Sequence, residues 1–260
     1  MLQVANGWTW LLCPGICCVV SAATYVFEGR RVETPVAVRD ASSASAAFVV
    51  PSAVAERMLP PDLRPAEVAP GRSLFSIAAV EYRDNDLGDY NEVSLAFFVR
   101  LRSERRAGWI KNVLGFFAGS LPTYIHRLPV NQTFTCAAGR GIWGFPKTVE
   151  RIEIDRSDDR FRCTLTCDGR EVLSFGVRRG GGTKLRDKRM LTYTRIDDVT
   201  HVTQFTSGAH GVGVHLRGAE LELGDHPIAD ELRALGLPKH ALLSVWMEHM
   251  HGRFDAPVPV

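Results

Sequence analysis

Alternation of apolar and polar positions dominates this chain. Residues 149–154 and 161–166 alternate between apolar and charged or polar side chains, the period of a half-exposed strand. Residues 25–28 and 32–38 predict two strands around a turn signalled by Gly29-Arg30. Two longer apolar runs, 74–82 and 90–101, flank a turn marked by Asp84-Asn85-Asp86 and Gly88. Over residues 93–101 the alternation gives way to a largely apolar stretch, which predicts a strand covered on both faces. Further strands are predicted at 46–50, 133–137, 171–177, 191–196, 199–205, 211–216 and 219–223, and 242–251 reads as a strand as well. Helix signals are few. Ser52 caps a predicted helix over 53–59 that Pro60-Pro61 ends, and a short amphipathic helix is predicted within 109–124. The helix at 228–235 has Asp225 as its cap, Pro227 in its first turn and Gly236 just past its end. Many short strands with few helices predict a mainly antiparallel β domain, a barrel or sandwich with helices attached.

Composition bounds this picture. With 260 residues, 45% of them hydrophobic, the chain can build one large core or two small ones. The 31 Lys+Arg nearly cancel the 29 Asp+Glu, so charge gives no reason to expect nucleic acid or an anionic membrane as partner. The mixed basic run 184–189 reads as a solvated loop or strand end. Residues 8–20 are apolar but too short to span a bilayer, and no basic residue precedes them. The expectation is an N-terminal extension, residues 1–24, of unknown role, followed by one domain over 25–260, in a cytoplasmic protein. Cys13, Cys17, Cys18, Cys136, Cys163 and Cys167 show no paired zinc spacing and read as reduced thiols.

The most informative run is 139–147, Gly-Arg-Gly-Ile-Trp-Gly-Phe-Pro-Lys. Lysine is by default a solvated cation. Bulky neighbours such as Trp143 and Phe145 can strip its water, disfavour the charged form and free the amine to attack a ketone. The same residues spell G-x-G-x-x-G, but Pro146 stands where a nucleotide-binding helix would begin and Trp143 would crowd a pyrophosphate. His249 and His251 have the spacing of one strand face, yet no third ligand joins them, and no metal site is expected. Tyr124 and His126 are candidates for lining a pocket, with a structural role the simpler reading for the histidine.

Two motifs carry a resemblance. Gly139-Arg140 followed by Phe145-Pro146-Lys147, and Gly88-Asp89-Tyr90-Asn91-Glu92 upstream of it, are similar to two segments of the acetoacetate decarboxylase family. Residues 221–238 resemble that family's closing strand, helix and turn, so the likeness runs from about Tyr25 to about Phe254. The resemblance implies an antiparallel β barrel or cone with a few helices. It implies that Lys147 forms a Schiff base with a small keto acid, with Glu92 as a second catalytic group and no cofactor beyond the covalent imine. It also implies an active-site arginine, for which Arg39 is preferred over Arg30, and substrate contacts from Tyr90, Trp143 and Phe145. A homo-oligomer is expected on the same ground. The implied reaction is decarboxylation of a β-keto acid. The alternatives are an imine-dependent aldolase or dehydratase acting on an α-keto acid, and a non-catalytic barrel that binds an apolar ligand.

One departure bears on mechanism. The family's decarboxylases place a second lysine directly after the Schiff-base lysine, where this chain has Thr148. In acetoacetate decarboxylase the amine is activated by a neighbouring cation or by desolvation. Along an extended segment, consecutive side chains point to opposite faces. Residue 148 would then couple only weakly to Lys147, leaving desolvation as the main cause of activation.

Overall fold

The computed structural model describes residues 23–260. Residues 1–22 lie outside it, and with them the apolar stretch 8–20 and Cys13, Cys17 and Cys18. The described chain opens with a hairpin, β1 (Thr24–Phe27) and β2 (Arg30–Glu33), followed by β3 (Val36–Pro51), α1 (Ser52–Glu56), β4 (Leu63–Pro65), β5 (Glu67–Ala69), β6 (Arg72–Asn85) and β7 (Tyr90–Leu101). Then come α2 (Trp109–Phe117), β8 (Thr123–Val130), α3 (Thr133–Trp143), β9 (Lys147–Val149), β10 (Arg151–Arg156), β11 (Arg160–Cys167) and β12 (Arg170–Arg178). The last part holds β13 (Thr183–Ile196), β14 (Val199–His215), β15 (Ala219–Leu223), α4 (Pro227–Ala234), β16 (Leu243–Phe254) and β17 (Val258–Pro259).

The large sheet runs β7-β6-β3-β16-β14-β13-β8, and β8 pairs back onto β7, so these strands close into a ring. All of the ring's pairings are antiparallel except β13 with β8. Strands β10, β11, β12 and β15 form a separate sheet packed outside the ring. The mainly β, barrel-like expectation therefore holds.

Period-two geometry decides what each face does. On β6, Ala78, Val80 and Tyr82 face into the ring, while Phe75, Ile77 and Ala79 join the core outside it. On β7, Tyr90, Glu92 and Ser94 face in, and Val93, Leu95, Phe97 and Val99 face out. This two-sided burial explains the largely apolar stretch 93–101. Irregular pairing between β3 and β6 at Val38, Asp40 and Ala41 switches the parity of β3. Val36 and Val38 face the ring interior before the switch, and Ser43 does after it. Beyond it, Ala44, Ala46, Phe48 and Val50 pack outward with Phe161, Phe175 and Trp246.

Four local expectations need correction. The run 133–137 is the start of helix α3, not a strand. Its buried Phe134, Ala138 and Ile142 fall at helical spacing, a signal masked by Thr133, Thr135 and the glycines, all poor helix formers. The first turn falls on Glu28 and Gly29, both at positive φ, and Arg30 already begins β2. Helix α1 is shorter than expected, and Ser52 lies inside it, with Pro51 as the N-cap. For α4 the cap is His226, whose Nδ1 accepts from the Ile228 N–H at 3.1 Å, rather than Asp225. Residues 184–189 lie on β13 and are mostly exposed. Among the described residues, no helix is long and apolar enough to cross a membrane.

Candidate active site

Lys147 is brought to the ring interior by the segment that precedes it. Helix α3 ends at Gly144, whose φ of 64° is left-handed. A Cβ there would lie 2.4 Å from the Arg195 carbonyl oxygen, so glycine alone fits both the turn and the space. The chain then extends into β9, which lies parallel to β8 with Lys147 opposite Leu128. Lys147 is buried and Thr148 is exposed, the opposite-face arrangement expected of an extended segment. Gly139, one turn back on α3, leaves room for the lysine stem: a Cβ there would sit 2.6 Å from Lys147 Cδ.

Glu92 reaches the same point from β7. Its Oε2 lies 2.8 Å from Lys147 Nζ, and the two side chains are only 9% and 3% exposed. The two side chains form a buried ion pair. Tyr90 and Tyr82 flank it. Lys147 Nζ lies 4.9 Å from the Tyr90 ring centroid, a cation–π contact. The Tyr82 ring stacks on Tyr90 at 4.4 Å, and its hydroxyl donates to Glu92 Oε1 at 3.4 Å. Burial, and then the Glu92 charge, push the Tyr82 phenol well above its ordinary value. Burial, and then the charges of Tyr82 and Glu92, do the same to Tyr90. Both phenols therefore stay protonated as possible donors.

The ion pair faces a cavity of about 240 Å³. Trp143 and Phe145, stacked at 5.6 Å, form one wall together with Phe254. Met190, Met247, Met250 and Phe205 add further apolar surface. Trp143 is fixed by its own Nε1, which donates to the Asp255 carbonyl at 2.8 Å. The only charged side chains lining the cavity, among the described residues, are Lys147 and Glu92.

Tyr90, Glu92, Trp143, Phe145 and Lys147 thus meet as the sequence suggested, and the two arginines do not join them. Arg39 is half exposed and binds Asp84 and Asp86 at 2.7 and 2.6 Å. The switch of parity at Asp40 lies between this residue and the inward-facing Ser43. Arg30 is exposed on the hairpin, its guanidinium 3.7 Å from the Phe134 ring centroid. Tyr82 was missed. Its inward position was readable only once the phase of β6 was known.

A larger cavity of about 760 Å³ shares Phe145 and Lys147 with the first, and Pro146 and Thr148 also line it. Its walls are charged, with Arg127, Arg140, Arg195, Glu150 and Asp197. His126 belongs here rather than with the Lys147 amine, and its Nε2 lies 3.1 Å from Glu231. Cys163 and Cys167 are free and buried, and burial pushes both thiols up to about 12, so neither is a nucleophile at neutral pH. His249 and His251 pair with Asp40 and Asp187, each at 3.0 Å, and no metal-binding group occurs among the described residues.

Comparison with known proteins places this geometry. The fold is similar to that of an acetoacetate decarboxylase from Legionella pneumophila subsp. pneumophila str. Philadelphia 1, with a TM-score of 0.62 and 17% identity over 87% of each chain. It is similar to the enduracididine biosynthesis enzyme MppR, solved with the condensation product of pyruvate and imidazole 4-carboxaldehyde, at a TM-score of 0.59 and 15% identity over 86% of this chain and 88% of that one. An acetoacetate decarboxylase-like enzyme from Sphingomonas wittichii RW1 matches at a TM-score of 0.56 and 13% identity, over 88% and 94% of the two chains. No curated protein sequence matches significantly. At these identities the solved structures establish the fold alone. The sequence profile of the acetoacetate decarboxylase (ADC) family, however, matches residues 25–254, and the chain belongs to that family.

Proposed function

We propose that this protein is an enzyme that decarboxylates a β-keto acid through an imine on Lys147. The observation that carries the reading is the pair Lys147–Glu92, 2.8 Å apart and buried against an apolar cavity. Proton transfer within the pair leaves a neutral amine beside a carboxylic acid. The amine attacks the substrate ketone to give a carbinolamine, and the Glu92 acid protonates the departing hydroxyl as water. The product is a cationic imine facing the Glu92 carboxylate. The C–C bond to the substrate carboxylate then breaks, its electron pair moves toward the imine nitrogen, CO₂ leaves and an enamine forms. Protonation at carbon and hydrolysis by water release the ketone and restore the lysine.

The apolar walls favour this reaction over its rivals. A carboxylate held there has lost its hydration, and loss of CO₂ disperses that charge. An aldolase or dehydratase acting on an α-keto acid must instead hold its carboxylate through the reaction. That task suits a guanidinium; the cavity that holds both Lys147 and Glu92 has none in its lining, Arg30 and Arg39 lie on the surface, and Arg127, Arg140 and Arg195 line the larger cavity, which Glu92 does not reach. A binding protein without chemistry would gain nothing from a buried ion pair in its cavity, because its desolvation is costly. The test is release of CO₂ from β-keto acids by the purified protein and by Lys147→Ala. Release by the first alone supports the proposal. Release by neither, or by both equally, refutes it.

A further inference from the structure

The volume behind the Lys147 amine is larger and more apolar than a four-carbon keto acid requires. We infer that the substrate is a β-keto acid carrying a medium-length apolar chain, of about seven carbons in all. The inference rests on the imine reading and deepens it.

Three observations carry it. The first is size. An engineered apolar cavity of about 150 Å³ takes benzene, with six heavy atoms, so 240 Å³ takes about ten by proportion. Acetoacetate has seven and loses its ketone oxygen as water when the imine forms. A seven-carbon β-keto acid has ten, nine after the same loss, and comes close to filling the space.

The second is the distribution of polarity. Lys147, Glu92, Tyr82 and Tyr90 are grouped at one place, where Glu92 pairs with Val80 and Tyr82 with Tyr90 across β6 and β7. Two residues along the same inward face, the Ala78–Ser94 pair forms the next layer, about 7 Å further on. Ser43 is the β3 partner of Val80. Small side chains at 43, 78 and 94 leave the volume open, and the methionines and Phe205 line it. A chain extending from the imine into this cavity meets mainly carbon and sulfur and no further charged side chain.

The third is the make-up of that wall. Met190, Met247 and Met250 are unbranched and adaptable, and suit a flexible alkyl tail better than a fixed polar group. Close packing around a short acid would leave this surface facing a void, whereas an alkyl tail supplies the missing contacts.

The test uses the full chain and a series of straight-chain β-keto acids from four to ten carbons. Two readouts are taken: kcat/KM for CO₂ release, and the mass added to Lys147 on borohydride reduction. Each buried methylene is expected to raise kcat/KM about fourfold. The rise continues to about seven carbons and falls beyond it. Ala78→Leu, one layer from Glu92, is expected to move the optimum to shorter chains, lowering kcat/KM for the seven-carbon acid more than for the four-carbon acid. A four-carbon acid processed as well as the longer ones, with the lysine adduct formed at every length, overturns the chain-length inference and leaves the imine reading standing. No adduct and no CO₂ at any length overturns both. An optimum unmoved in a folded Ala78→Leu variant also refutes the inference.

Discussion

Gly139 and Lys147 are in contact across the turn that joins α3 to β9: a Cβ on the glycine would stand 2.6 Å from Lys147 Cδ and 3.3 Å from Nζ. The lysine can yield only by moving, and movement breaks its 2.8 Å contact with Glu92. Gly139→Ala is therefore expected to lower kcat for decarboxylation by tenfold or more, on the order of 1.4 kcal/mol in the barrier. Alanine is the better helix former, but the overpacking and the disturbed ion pair outweigh that gain, so a fall in stability of about 1–3 kcal/mol is expected beside the kinetic loss. Steady-state kinetics beside a thermal melt checks both parts.

The Lys147–Glu92 pair gives a prediction about stability that does not depend on turnover. Removing one partner from a buried pair costs about 3–5 kcal/mol, because the other is left unpaired. Lys147→Met and Glu92→Leu are each expected to show a loss of this kind. Replacing both, as in Lys147→Met with Glu92→Leu, should recover most of the stability and abolish activity. Urea unfolding of the two single variants and the double variant closes the cycle. Equal, additive losses would show that the two side chains do not interact.

Thr148 faces away from Lys147 and is exposed. Installing a lysine there, Thr148→Lys, places the new cation on the opposite face of β9, where solvent screens it. Its expected effect on kcat is less than about threefold, or about 0.7 kcal/mol. A tenfold rise would show that a neighbouring cation, rather than desolvation, limits the activation of Lys147.

Asp40 carries an acid-side prediction. Its hydrogen bond from Arg83 is the largest cause, and His249 adds to it, bringing the carboxyl down from 3.8 to about 2. A depressed carboxylate stabilises the folded state above its unfolded value, and that contribution disappears as pH falls from about 4 toward 2. Because Asp40 is 34% exposed, solvent screening reduces the effect to about 1 kcal/mol. Asp40→Asn should therefore be less stable than the parent at pH 7 and nearly equal to it at pH 2. Denaturant titrations at the two pH values measure the difference.

Much of the site could be read from the sequence because its parts are consecutive or lie two residues apart. Tyr90 and Glu92 share a strand face by period two, and residues 143, 145 and 147 follow one another along one short segment. What could not be read is long-range. The parity switch on β3 separates Arg39 from the inward face that Ser43 occupies, and only the pairing with β6 reveals it. Tyr82 needed the β6–β7 register to be placed over Tyr90 and beside Glu92. The start of α3 was hidden because its residues have weak helix propensity, and packing of Phe134, Ala138 and Ile142 overrides it.

The central claim is that Lys147 bonds covalently to a substrate ketone. Borohydride reduction during turnover, followed by peptide mass analysis, tests it directly. The account predicts one modified residue, Lys147, whose added mass is that of the reduced imine, with no labelling in Lys147→Ala. Full turnover with Lys147 left unmodified, or equal labelling of exposed lysines instead, would contradict it.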